Sequence, residues 1–164
     1  MSTPRLVLDA DFLSAFLKID RLSLVKDFYQ AEQLLIPLAV YREVSLTSLL
    51  QKLVGLSWLQ VETPDSGLVE ELFRENGPDA LGAGEQESIA LAHRHPGSVL
   101  LMNDNCARRQ AAQLGLAAVN VPAFLLACKI SSFVDCDQIA DLVRALRERD
   151  HYGFRGDVLV RLLS

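Results

Sequence analysis

The sequence has no close pair of cysteines: Cys106, Cys128 and Cys136 are its three, and no Cys-x-x-Cys occurs. That excludes a disulfide framework or a cysteine zinc site and leads us to expect reduced thiols in a cytoplasmic protein. Histidine is equally scarce. His93 and His95 stand two apart in a helical stretch and so point apart, and His151 lies in the tail, so no histidine ligand set is expected. Positive charge is not in excess either. The 16 Lys+Arg are outnumbered by 21 Asp+Glu, giving a net charge of -5. A basic module that holds nucleic acid by net charge alone is thereby excluded. No apolar run approaches the ~18 residues needed to span a membrane. The first residues lack the charged, apolar and cleavage regions of a signal peptide, so none is expected. There is no internal repeat, low-complexity tract or interdomain linker.

What is present is a foldable, core-forming chain. Half of the 164 residues are hydrophobic and 23% are charged, which excludes intrinsic disorder. The length suits one domain spanning 1–164, large enough to need no disulfide or metal staple. Short apolar runs at 5–9, 34–36 and 98–102 read as buried strands, with further short strands at 57–61 and 117–121. Between them lie amphipathic helical stretches: from Phe12, at 22–30, from Pro37 to about Val54, and at 68–76, 85–94, 106–114, 122–129 and 137–148. Gly77-Pro78-Asp79 reads as a break and Gly82-Ala83-Gly84 as a loop. The tail from Tyr152 has no firm placement. Strands of three to five residues alternating with longer helices predict an α/β domain with a parallel sheet.

In such a sheet the functional crevice lies outside the carboxyl ends of the strands. Acids fall there. Asp9 ends the first strand, Asp104 follows the strand at 98–102, Glu43 lies in the helix after 34–36, and Glu85 and Glu87 open the helix before 98–102. Each alone has an ordinary explanation. Asp9 and Asp104 are good helix caps, Glu85 and Glu87 favour a helix N-terminus, and Glu43 suits a solvated face. Together on one rim they repel unless a cation neutralises them. A divalent ion held by hard oxygen ligands fits, and two such ions about 4 Å apart support phosphodiester hydrolysis.

Four segments carry a likeness to a known family. They are Leu6-Val7-Leu8-Asp9-Ala10-Asp11-Phe12-Leu13, Ile36-Pro37 through Glu43-Val44, Gly84-Glu85-Gln86-Glu87, and Asn103-Asp104 through Ala107-Arg108. In order and spacing the chain resembles the PIN-domain nucleases, most closely the VapC-like toxin branch with a Gly-Glu-x-Glu motif, over about residues 5–130. The resemblance implies a three-layer α/β/α sandwich with a central, mostly parallel sheet. It implies Mg²⁺- or Mn²⁺-dependent cleavage of RNA, a small antitoxin partner and a homodimer. It matches Asp9, Glu43, Glu87 and Asp104 to the catalytic acids, with Asp9, Asp104 and Glu87 as metal ligands. Glu85 matches an extra acid of the branch. The two glutamates diverge by ~200° on a regular helix, and Glu87 is expected to face the metal first.

Two positions depart from the family pattern. Asp11 replaces a small polar residue, and Asn103 stands where the branch often has Asp. Arg108, four residues after Asp104, is a candidate to orient that carboxylate or meet a phosphate. Arg42, Arg109 and Lys129 are candidates for a basic rim by position. The helices at 12–29 and 46–54 are candidate partner surfaces, or simply core. Two alternatives stay open. One is a PIN-fold binding module with weak or no catalysis. The other is a haloacid-dehalogenase-like phosphatase, suggested by Asp9-Ala10-Asp11. That chemistry needs a Lys that the stretch between Lys52 and Lys129 lacks, and Leu13 replaces the usual Thr or Val.

Overall fold

The structure is a computed structural model that describes residues 3–75 and 81–164. Its sheet has five short strands: β1 (Leu6–Leu8), β2 (Leu34–Ile36), β3 (Leu59–Val61), β4 (Val99–Leu101) and β5 (Ala117–Val119). Every pairing is parallel, in the order β3-β2-β1-β4-β5. The chain builds outward from β1 to β3, then crosses back to place β4 on the other side of β1. The boundary between β1 and β4 is therefore the topological switch point, where a crevice opens at the carboxyl edge.

The helices are α1 (Ala10–Lys18), α2 (Leu22–Phe28), α3 (Leu38–Ser45), α4 (Leu50–Val54), α5 (Ser66–Phe73), α6 (Ala83–Arg94), α7 (Asn105–Gln113), α8 (Val121–Ile130), α9 (Cys136–Arg149) and α10 (Gly156–Leu163). They cover both faces of the sheet. Successive strand residues point to opposite sides. Leu6, Leu8, Leu34, Ile36 and Leu101 join the core beneath α1, α8 and α9, whereas Val7, Leu35 and Leu100 join the core beneath α5, α6 and α7. Register enforces this: Val7 stands opposite Leu35 on one side and Leu100 on the other. A sheet buried on both faces explains why its central strands read as unbroken apolar triplets. The result is the three-layer α/β/α sandwich expected from the sequence.

An aromatic cluster fixes α1 on its face. Phe12 and Phe16 stack with ring centroids 5.1 Å apart. Phe124 of α8 meets them edge-on at 6.1 and 5.5 Å, and Phe28 meets Phe124 at 5.5 Å.

Three expectations need correction. The single helix predicted from Pro37 to Val54 is two, α3 and α4. The Thr47 hydroxyl donates to the Val44 carbonyl and accepts from the Leu49 amide, giving the backbone a turn in place of a continuous helix. Gly82-Ala83-Gly84 is only partly loop, because α6 already begins at Ala83. The tail folds as α10, whose last carbonyls receive the Lys129 ammonium: Arg161 O at 2.8 Å, Leu162 O at 3.1 Å and Ser164 O at 2.6 Å. Lys129 is thus a helix cap and not part of a basic rim. The end of the helix predicted at 68–76 and the break at Gly77-Pro78-Asp79 fall on residues 76–80, outside the described residues.

Candidate active site

Asp9 extends the β1 ladder, its amide donating to the Leu101 carbonyl at 3.0 Å, and the chain then turns into α1. It occupies the N-cap position of α1, yet its side chain makes no capping hydrogen bond. The capping explanation therefore does not account for its carboxylate. Asp9 is only 4% exposed. Its nearest hydroxyl, Ser88 Oγ, stands at the long distance of 3.5 Å. Burial pushes its pKa up from the ordinary 3.8 to about 7; the Ala10 amide works against this, and the charges of Glu85, Asp11 and Glu43 add to it.

Gly84 shows how closely the acids converge. A Cβ placed there would lie 3.4 Å from Glu43 Oε2 and 3.7 Å from Asp9 Oδ1, so both carboxylates point at the same spot beside the first turn of α6. Glu85 bends back, its Oε2 accepting from the Gly82 amide at 2.9 Å. Burial raises its pKa, and after the opposing Gly82 bond the charges of Asp104, Asp11 and Glu43 raise it further. Asp104 caps α7: its Oδ1 accepts from the Ala107 amide at 2.8 Å. Here the capping explanation holds for one carboxylate oxygen. The acidic group is therefore Asp9, Asp11, Glu43, Glu85 and Asp104. Among the described residues, no Lys, Arg or His forms an ion pair with any of them.

Glu87 is the exception. Its Oε2 accepts from the Ala39 amide at 2.7 Å, in the first turn of α3. That helix has Pro37 at its N-cap and no side-chain cap of its own. Glu87 thus supplies both a missing acceptor and a negative charge at a helix N-terminus. Glu87 Oε2 thus faces the start of α3, while Glu85 is the glutamate whose charge acts on Asp9. We expect Glu87→Ala to destabilise the fold by about 2 kcal/mol, read from denaturant melts. Glu87→Gln should recover most of that loss, because its amide oxygen still accepts.

Asn103 also has a structural task. Its Oδ1 accepts from the Val121 amide at 3.0 Å and so caps the start of α8. Arg108 donates through Nη2 to Asn105 Oδ1. Arg109 lines a shallow groove with Leu81, Glu85, Asp104 and Gln110. Tyr152, which the sequence could not place, reaches this edge, its hydroxyl 3.5 Å from Asn103 Oδ1. No sequence signal marked it, because its approach depends on how α9 ends.

Among the described residues, no three His, Cys, Asp or Glu side chains are arranged to enclose an ion by themselves. Mg²⁺ requires less than that: it keeps several waters and takes one or two carboxylates, with substrate phosphate oxygens completing the shell. A buried carboxylate held near neutrality, with further carboxylates around it and no cationic partner, suits such an ion.

A family model described as DUF3368: PIN domain matches residues 5–162. No curated protein matches the chain.

Proposed function

Since a match of that extent places the chain in the PIN-domain family, whose members are generally nucleases, we propose that it is a Mg²⁺- or Mn²⁺-dependent endoribonuclease, the toxin of a VapC-like toxin-antitoxin pair. The observation that carries this reading is the convergence of five carboxylates, one of them buried, at the switch point between β1 and β4. Family membership removes the phosphatase alternative.

Asp9, Glu85 and Asp104 would hold the ion, with Glu43 and Asp11 beside them. When bound, the ion supplies Lewis acidity toward a phosphate oxygen and lowers the pKa of a coordinated water. The protein's own part is positional. The β1 ladder fixes Asp9, the α7 cap orients Asp104, and the Gly82 amide holds Glu85 in the first turn of α6. Glu87 sets the packing of α3 against α6 and so the place of Glu43.

An antitoxin or a second copy needs an apolar landing surface. Leu46, Leu50 and Val54 recur every four residues and are exposed, Leu46 by 89% and Val54 by 62%. This supports the 46–54 surface. In α1, by contrast, Phe12, Leu13 and Phe16 are fully buried, so that stripe is core. No helix among the described residues is long and apolar enough to cross a membrane.

The test is cleavage of labelled single-stranded RNA with Mn²⁺, with EDTA and Asp104→Asn run alongside. Asn caps helices as well as Asp does, so α7 should stay intact while one charge is lost. We expect EDTA to abolish cleavage and Asp104→Asn to slow it at least about tenfold. Full activity in Asp104→Asn would overturn the site. Absence of both cleavage and Mn²⁺ binding would leave the binding-module reading.

A further inference from the structure

Beside the acids lies a second group of side chains that the reading above does not use. α9 ends at Arg149 with Asp150 as its C-cap, and His151 takes a left-handed conformation with φ of 54°. The turn is anchored: the Tyr152 amide donates to Leu146 O at 3.1 Å, and Lys18 Nζ pairs with Asp150 Oδ1 at 2.8 Å. The turn delivers Tyr152, with Phe154 as a tilted aromatic pair (ring centroids 4.7 Å apart), to the carboxyl end of β4. Both rings are half-buried. The Tyr152 hydroxyl lies beside Asn103, the residue immediately before Asp104.

Arg108 completes the group. Its amide donates to the Asp104 carbonyl, placing it one turn into α7. Its Nε is shielded from solvent and has no hydrogen-bond partner. Its charge lowers the Tyr152 hydroxyl pKa, opposing the burial that pushes it up to about 12, while Asp150 and Asp11 raise it. Asp11 also acts on Asp9 and Glu85. The aromatic pair and Arg108 thus adjoin the acidic site through Asn103 and Asp104, and the charge of Asp11 acts on Tyr152, Asp9 and Glu85 alike.

We propose that Tyr152 and Phe154, with Arg108, hold single-stranded RNA beside the acidic site: a base stacks on the aromatic pair while the Arg108 guanidinium, exchanging its Asn105 contact, takes a backbone phosphate. This rests on the ribonuclease reading and deepens it. Single-stranded RNA is held through unstacked bases on aromatic rings and arginine planes. It also resolves a difficulty of charge. A chain of net charge -5 with an acidic site gains little from general phosphate attraction, whereas stacking is insensitive to net charge.

The test measures binding apart from cleavage. A short single-stranded RNA carrying 2-aminopurine is titrated into the full-length, cleavage-deficient Asp9→Asn protein, following anisotropy and 2-aminopurine fluorescence. Adding Tyr152→Leu should weaken binding by roughly tenfold, the range of one lost base stack, and abolish the stacking quench. Tyr152→Phe should restore both, which a merely structural role of the hydroxyl would not allow. Phe154→Leu, which leaves the Asn103 contact in place, should weaken binding by several-fold.

In the cleaving protein the Tyr152→Leu effect should fall on KM more than on kcat. Unchanged affinity and quench in both Leu variants overturns the proposal, even if the wild type cleaves RNA. Loss of affinity and quench in a chain that never cleaves supports the aromatic rim and overturns the nuclease reading. A chain that neither binds nor cleaves overturns both.

Discussion

Asp9→Asn is expected to slow Mn²⁺-dependent RNA cleavage by roughly a hundred- to a thousandfold and, in metal-free protein, to make the fold more stable at pH 8. The first effect follows from removing the most buried carboxylate of the proposed ion site. Transition-state stabilisation by a bound metal amounts to several kcal/mol, and each 1.36 kcal/mol is about a factor of ten. The second effect follows from burial. In the fold the carboxyl is raised to about 7 from the ordinary 3.8, so the folded chain holds the proton more tightly than the unfolded one. Stability contributed by this group is full below pH ~4, falls as the pH rises toward 7, and is lost above it. The difference corresponds to at most roughly 4 kcal/mol. Denaturant melts of wild type and variant should therefore coincide near pH 3.5 and separate by a few kcal/mol at pH 8. Adding Mn²⁺ should stabilise the wild type and not the variant, since only binding to the folded state shifts the equilibrium. Melts that separate at acid pH and meet at pH 8 would reverse the sign and refute this account.

The second large effect concerns the core that carries the site. Phe124→Ala should destabilise the protein by about 3–5 kcal/mol. Phe124 is fully buried and contacts Phe12, Phe16, Phe28 and Tyr29. Removing its ring leaves a cavity at the junction of α1, α2 and α8 that rigid helices cannot collapse to fill. Typical domains are stable by only about 5–15 kcal/mol, so the urea midpoint should drop sharply with little change in slope. Because α1 starts from Asp9, loss of cleavage should track the fraction unfolded. Phe124→Leu should lose much less. A Phe124→Ala midpoint close to wild type would show that these ring contacts carry little of the packing energy.

Much of the fold was legible in the chain. Leu6-Val7-Leu8, Leu34-Leu35-Ile36 and Val99-Leu100-Leu101 are apolar on both faces because a parallel sheet covered by helices on both sides demands it. Asp65, Asp104, Asn120 and Asp135 each cap a helix with their own side chains, a local pattern that sequence carries directly. The placing of acids just beyond strand ends was equally local, since it needs only the strand boundaries and the rule that parallel sheets function at their carboxyl edge. Asp9 and Asp104 were picked out as candidates in that way, whereas Glu43 lies well inside α3 and needed the helix after β2 as well.

Tertiary structure alone decided what each carboxylate does. Glu85 and Glu87 are both acids near the start of one helix, and nothing in their spacing tells which meets the other acids. The packing of α3 against α6 brings the Ala39 amide to Glu87, while Glu85 turns back to the Gly82 amide within electrostatic reach of Asp104. The same holds for Lys129, which the docking of α10 turns into a cap, and for Tyr152, which the turn after α9 carries back to Asn103. The physical reason is range. Strand pattern and helix caps are set by residues within a few positions of each other. The Ser88 contact of Asp9, the partner of Glu87 and the approach of Tyr152 are contacts 48 or more residues apart, which exist only once the layers have packed.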